Sequence, residues 1–274
     1  MICLYLEAPF AACRTFTAGW YRPTATFLSP SAAYGLLLNI AGIESRLREE
    51  EQGHDGSAPA SLTRPGLPSV ELAVGVPVVE LFGPHRGQAV SEENLFPRMQ
   101  SVYQQLHNYP VGSSGKERAE SCRGNKYNIT PVRREFLSGV RAVIALRGEP
   151  DFEERVVRGL NGQLNAGRYG VPFLGDNSFL LDRFVVVREP VLVRWFEQQD
   201  ADSPGIKDHV TRLTVQINRA DLSQTRSGLF APGDPTPSSE PSLRSWVAIT
   251  SLTPPAPVAK AKARPPKTKP TGDG

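Results

Sequence analysis

Residues 8–42, APFAACRTFTAGWYRPTATFLSPSAAYGLLLNIAG, hold the end of a strand, a long loop and a helix. Ala33, Leu36, Leu37 and Ile40 fall at i, i+3, i+4 and i+7, which gives a helix one apolar face. Ser29 or Ser31 can cap its first turn, Pro30 suits a position whose N–H has no helical partner, and Gly42 suits the left-handed residue that ends a helix. The helix N-terminus is expected to be free, a place where unpaired N–H groups and the helix dipole favour an anion. Arg14 and Arg22 lie in the loop leading to it. A capped helix with solvated arginines is the plainer reading of the same residues.

Upstream of that loop, Ile2, Leu4 and Leu6 alternate with Cys3, Tyr5 and Glu7, the period of a strand with one buried face. Downstream, a Gly, Ser and Pro-rich loop within 44–69 leads to the alternation Val70, Leu72, Val74, Val76. Residues 81–127 lose the pattern except around 95–106 and read as an excursion with room for one further strand. Val140, Ala142, Ile144 and Leu146 make the next strand. Phe152, Val156, Leu160 and Leu164 make an amphipathic helix that opens on the acidic residues of 149–154. Strand, helix, strand, excursion, strand and helix fit a split βαβ arrangement. Further strands are expected at 179–187, 191–196, 210–218 and 245–249. The fold class is therefore α+β. A first domain is expected over 1–166 with an insertion at about 81–127, a mostly β region over 167–252, and a disordered basic tail over 253–274, too poor in apolar residues to pack.

The chain has 274 residues, a net charge of +3 and three cysteines, Cys3, Cys13 and Cys122, which lack metal-ligand spacing. Reduced thiols in a cytoplasmic protein follow from that. The residues near Met1 lack the charge and apolar run of a signal peptide, and no apolar stretch reaches the length of a membrane span. The four histidines are scattered, so no metal site is expected, and no cofactor motif is present. GRYGVPFLGDN at 167–177 has neither the Walker A spacing nor GxGxxG and reads as a shaped loop, with Arg168 as a phosphate contact.

The strongest chemical signal is a basic run: Lys116, Arg118, Arg123, Lys126, Arg133, Arg134, Arg141 and Arg147, interleaved with Tyr127 and Phe136. Guanidinium groups pair phosphates bidentately and aromatic rings stack bases, so single-stranded RNA fits this composition. A solvated charged loop fits it too. Tyr103, His107, Tyr109, Lys116, Lys126 and Tyr127 are the residue types that metal-independent RNA cleavage uses, without local spacing that holds them together.

Three stretches, LYLEAPFAACRTF at 4–16, YRPTATFLSPSAAYGLLLNIAG at 21–42 and NKYNITPVRREFLSGVRAVI at 125–144, resemble the Cas-five family of CRISPR-associated proteins, the RAMP-type subunit of type I Cascade. GRYGVPFLGDNSFLLDR at 167–183 is similar to the branch found in myxobacterial developmental-type operons. The resemblance covers most of residues 1–230. It implies a ferredoxin-like, RRM-related domain with a thumb and a smaller C-terminal β region. It also implies a non-catalytic subunit that caps the 5′ handle of the guide RNA, packs on a Cas-seven backbone subunit and contacts the large subunit near target DNA. A Cas-six-like enzyme would then process the guide. One branch of that family cuts its own precursor RNA with Tyr, Lys and His. Here Asn125-Lys126-Tyr127 lacks an adjacent Lys-His pair, which favours binding over cleavage. Chosen by chemistry and placement, the RNA-binding residues are Arg14, Arg22, Ser31, Tyr34, Lys126, Tyr127, Arg133, Arg134 and Arg168.

Overall fold

A computed structural model describes residues 1–15, 20–47, 63–108, 128–165, 167–200, 208–219 and 221–251. Lys126, Tyr127, the far end of the 81–127 excursion and the basic tail lie outside the described residues, and so do the side chains of 106–108 and 128–130.

The elements run β1 (Ile2–Ala11), β2 (Tyr21–Arg22), α1 (Pro30–Ile40), β3 (Val70–Pro77), α2 (Glu92–Leu95), β4 (Arg98–Asn108), β5 (Asn128–Arg147), α3 (Pro150–Leu160), β6 (Arg183–Val186), β7 (Leu192–Gln199), β8 (Thr211–Gln216), β9 (Arg226–Pro237) and β10 (Val247–Ile249). Among the described residues, all ten strands belong to one sheet, ordered β6-β1-β5-β3-β7-β9-β8, with β10 added to β3 and with β2 and β4 added to β5. Every pairing is antiparallel except the short β2 on β5. The protein is thus a sheet-dominated α+β fold with few helices.

The two long helices, α1 and α3, form where the sequence places them. Ser29 caps α1 by accepting from the Ala32 amide, Pro30 occupies its first turn, and Gly42 takes φ +67° just beyond its end. In α3 the apolar positions Phe152 and Val156 are buried, with Asp151 and Glu153 in the first turn and Arg158 in the last, which suits the helix dipole. This helix ends at Leu160, before Leu164, because Gly162 turns the chain with φ +70°.

Most of the core lies on one face of the sheet, where Leu4, Leu6, Leu72 and Ile144 meet Leu36, Leu37, Phe152 and Val156 from the helices. Phe196, Leu213, Val215 and Phe230 join the same core, so β7, β9 and β8 curve round toward α1. The expectation that β1 buries one face is corrected. Cys3 and Tyr5 are buried on the other side among Val143, Val193, Trp195 and Trp246, because the C-terminal strands and their connections cover the outer face as well.

The two helices cross closely enough that a Cβ on Gly159 would lie 2.0 Å from the Ile40 carbonyl oxygen. Alanine there forces α3 away from α1. Gly159→Ala is expected to cost about 1–3 kcal/mol, which lowers the thermal midpoint by roughly 2–4 °C per kcal/mol; an unchanged midpoint would show that the crossing yields without loss.

The stretch around 95–106, where a core face was expected within the excursion, divides between α2, which ends on the buried Leu95, and β4, paired with β5 from Arg98↔Ser138 to Asn108↔Asn128. This strand has no core-facing alternation because its described residues stand in solvent, including Met99, Val102 and Tyr103. The sequence also gives no sign of β9, which carries Pro232, Pro235 and Pro237. Those prolines lie beyond Phe230, where β8 has ended, so missing N–H groups are tolerated on that open edge.

Candidate nucleic-acid interface

At the base of the β4–β5 hairpin, three segments distant in sequence converge. The chain leaving β1 carries Arg14, which bridges Thr24, and the Cys13 amide donates to Thr24 Oγ1 at 2.9 Å. Next, β2 lies beside Arg133 and Arg134 of β5. Glu135, almost fully buried, fastens this arrangement by accepting from the Tyr21 hydroxyl at 2.6 Å and the Thr24 amide at 3.4 Å. That bond to Glu135 is also the main reason the Tyr21 phenol is held above its ordinary pKa.

The third segment is the loop at 174–179, which brings Asp176. Its Oδ2 receives Arg134 Nη2 at 2.9 Å and lies 3.6 Å from Arg14 Nη2, while Arg134 Nη1 donates to Gln104 Oε1 at 2.6 Å. Arg22 lines the same cavity of about 320 Å³, and no carboxylate among the described residues pairs with it. Three guanidinium groups therefore line the cavity with two carboxylates: Asp176, which faces Arg14 and Arg134, and Glu135, whose oxygens are taken by Tyr21 and Thr24. Arg14 is held below the ordinary guanidinium pKa, by partial burial first and then by Arg134 and Arg22, with Asp176 opposing. Asp176 is held below the usual carboxylate range, chiefly by the Ser178 hydroxyl, with the two arginines adding to it. A group of this charge balance favours an added anion.

Beside the arginines, Phe10, Phe136 and Phe179 form an aromatic floor with ring centroids 5.5–5.8 Å apart. Tyr103 stands at the rim, 70% exposed, and Trp20 is 63% exposed where its carbonyl oxygen receives the Arg133 amide. Phosphate-pairing cations thus border rings on which bases can stack.

Of the residues expected from sequence, Arg14, Arg22 and Arg134 meet in this groove. Others do not. Arg133 is adjacent to Arg134 on a strand, so it points to the opposite face, where its guanidinium lies 5.6 Å from the Tyr21 ring centroid. Ser31 and Tyr34 line a separate cleft of about 130 Å³ with Val215 and Ile249. Tyr34 gives its hydroxyl to the Pro68 carbonyl at 2.7 Å, and burial raises its phenol pKa, so the ring is engaged in packing. Arg168 donates to the Gly159 carbonyl at 2.6 Å and closes the end of α3, away from the groove. Arg141 pairs with Glu80, and Arg147 pairs with Glu71 while lying over Trp246. The basic run therefore does not form one stripe.

The expected free N-terminus of α1 is corrected as well. Ser29 and Pro30 are buried, and the Ser29 hydroxyl oxygen is taken by the Ala32 amide of the first turn, with Ser31 Oγ 3.3 Å away. Residues missed from sequence are Asp176, Phe179, Phe10 and Trp20. A signal for the first was present: Asp176-x-Ser178 is an Asx-turn pattern, and its Oδ1 accepts from both the amide and the hydroxyl of Ser178.

Fold and site together describe a sheet scaffold with an arginine and aromatic groove at the foot of a long hairpin. Among solved structures, the chain is similar to a chain of a "CRISPR RNA-guided surveillance complex", with 13% identity, 93% of this chain and 94% of that one covered, and a TM-score of 0.49. It is also similar to a chain described as "Crystal structure of Cas protein", at 12% identity, with 86% and 92% covered and a TM-score of 0.40. No family model and no curated protein matches the sequence.

Proposed function

We propose that this protein is an RNA-binding subunit of a CRISPR Cascade-type effector, gripping the 5′ handle of the guide RNA in the groove of Arg14, Arg22 and Arg134. The observation that carries this reading is the charge balance of that groove, three guanidinium groups against the two carboxylates of Asp176 and Glu135, beside an aromatic floor and an exposed tyrosine. Phosphates bind the arginines, and unstacked bases lie against Phe179, Tyr103 or Trp20.

Two further features support it. The sequence resemblance at 4–16, 21–42 and 125–144 covers β1, much of the chain that follows it and most of β5, which carry Arg14, Arg22 and Arg134. The order β6-β1-β5-β3, joined through α1 and α3, agrees with the ferredoxin-like, RRM-related domain that the resemblance implies, and in this reading the β4–β5 hairpin is its thumb. In this reading the hairpin contacts a Cas-seven backbone subunit, the large subunit sits nearby with target DNA, and a Cas-six-like enzyme supplies the processed guide in the cytoplasm.

Binding without cleavage is the expected activity. Labelled repeat RNA mixed with the purified chain in EDTA should be retained in a salt-sensitive complex and recovered intact. A discrete cut at the handle boundary would overturn the non-catalytic assignment, and absence of binding at low salt would overturn the reading as a whole.

A further inference from the structure

The loop at 174–179 is built with more care than a connection needs. Leu174 and Phe179 close it through an amide-to-carbonyl bond of 3.0 Å, and the Phe179 amide returns to the Asp176 carbonyl at 2.9 Å. It is fastened to the end of β1 by the Ala12 amide, 2.9 Å from the Leu174 carbonyl. Gly175, at φ +80°, lies so close to that strand that a Cβ would be 1.8 Å from the Ala12 carbonyl oxygen, so only glycine fits. The result is a fixed position for one carboxylate. Asp176 Oδ1 is taken by the Ser178 amide at 3.2 Å and hydroxyl at 2.8 Å, which leaves Oδ2 to face Arg134 and Arg14.

A carboxylate in a phosphate-binding groove is at first sight a disadvantage, since it repels the ligand. Its placement suggests the opposite effect. Arg14 and Arg134 come from different elements and repel each other, so without an anion between them their long side chains would separate and sample many rotamers. We infer that Asp176 is a positioning residue for RNA: from its fixed turn it holds Arg14 and Arg134 side by side, with their remaining N–H groups turned toward the groove. RNA then binds arginines that are already ordered, and the conformational cost of gathering them is not taken from the binding energy. This inference rests on the groove being the RNA site.

The sign of one substitution tests it. Asp176→Asn keeps an Oδ1 acceptor for the Ser178 turn but replaces the facing oxygen with an amide that has no charge for the arginines. Removing a negative charge from a basic groove should tighten RNA binding if Asp176 is only a neighbouring charge. If it is a positioning residue, affinity for a labelled single-stranded oligoribonucleotide of mixed sequence falls about tenfold. The same substitution in an Arg14→Gln, Arg134→Gln background then has no effect or strengthens binding, because there are no arginines left to hold. Ser178→Ala gives a second measure that keeps the charge and loosens the turn, and a smaller loss of affinity is expected from it.

Loss with Asp176→Asn that disappears in the double-glutamine background supports the inference. Equal or tighter binding by Asp176→Asn in the otherwise unaltered chain overturns it, as does a loss that persists undiminished without the two arginines. If Asp176→Asn does not fold, Ser178→Ala decides, with unchanged affinity overturning the inference. Failure of the unaltered chain to bind the probe overturns both this inference and the RNA-binding reading, whereas binding by the unaltered chain with the wrong sign for Asp176→Asn leaves the latter standing.

Discussion

Arg134→Glu should abolish most RNA binding while leaving the protein folded. The substitution removes the guanidinium that pairs with Asp176 and Gln104, and it sets a further carboxylate beside Asp176, where a phosphate would be repelled. A loss of about 30- to 100-fold in affinity is expected, together with a shallower salt dependence, since each phosphate contact given up removes about 0.7 from the slope for a single strand. Filter binding across a salt series measures both quantities, and circular dichroism checks the fold. Arg133→Glu is the matched control, because that residue lies on the other face of β5 over Tyr21. Equal losses from the two variants would show that RNA senses only the net charge of the hairpin. An unchanged affinity for Arg134→Glu would place the RNA elsewhere.

The largest effect on stability is expected from Phe27→Ala. Phe27 is fully buried and stacks on Phe196 with ring centroids 4.3 Å apart, and Phe96 meets Phe196 edge-on at 6.1 Å. These rings tie the loop before α1 to β7, so the void left by alanine opens between the central strands and their extension. Truncating a buried phenylalanine costs about 3–5 kcal/mol, which in a protein of this size lowers the thermal midpoint by on the order of ten degrees. Denaturant titration with an unchanged slope would confirm that stability alone had changed. A loss below about 1 kcal/mol would mean that Phe96 and Phe196 collapse into the space.

Elements with a regular apolar period were legible in the sequence. The faces of α1 and α3, the alternation in β3 and the run from Val140 to Leu146 all describe side chains that do enter the core. Hairpin strand β4 was legible only as room for a strand around 95–106, because a strand whose described residues stand in solvent has no apolar face to fix its period, and β9 was hidden by its prolines. A local irregularity in β5 had the same effect on a smaller scale. Leu137 and Val140 share one core although they stand an odd number of residues apart, and Gly139 between them, at φ +67°, breaks the alternation. The site divided along similar lines. Arg14, Arg22 and Arg134 could be chosen because charge is visible in sequence. Arg133, Tyr34 and Arg168 looked equivalent to them, and only the strand parity, the Pro68 carbonyl and the end of α3 separate them. Asp176 was passed over because an acidic residue does not advertise itself as part of an anion site, and its value depends on two arginines far away in the chain.

Twenty residues of β5 run from beneath the helices to the hairpin, with their alternation broken at Gly139, about 65 Å at the usual rise per residue. One end is clamped between β1 and β3, while the other is accompanied chiefly by β4. The strand is therefore a cantilever, with the arginine groove close to its support. A load applied near the tip by a neighbouring subunit would bend the beam most where it leaves the clamp, beside Arg134 and Phe136. On the proposed function, grip on RNA and contact with such a neighbour would then be mechanically joined through a single stretch of backbone.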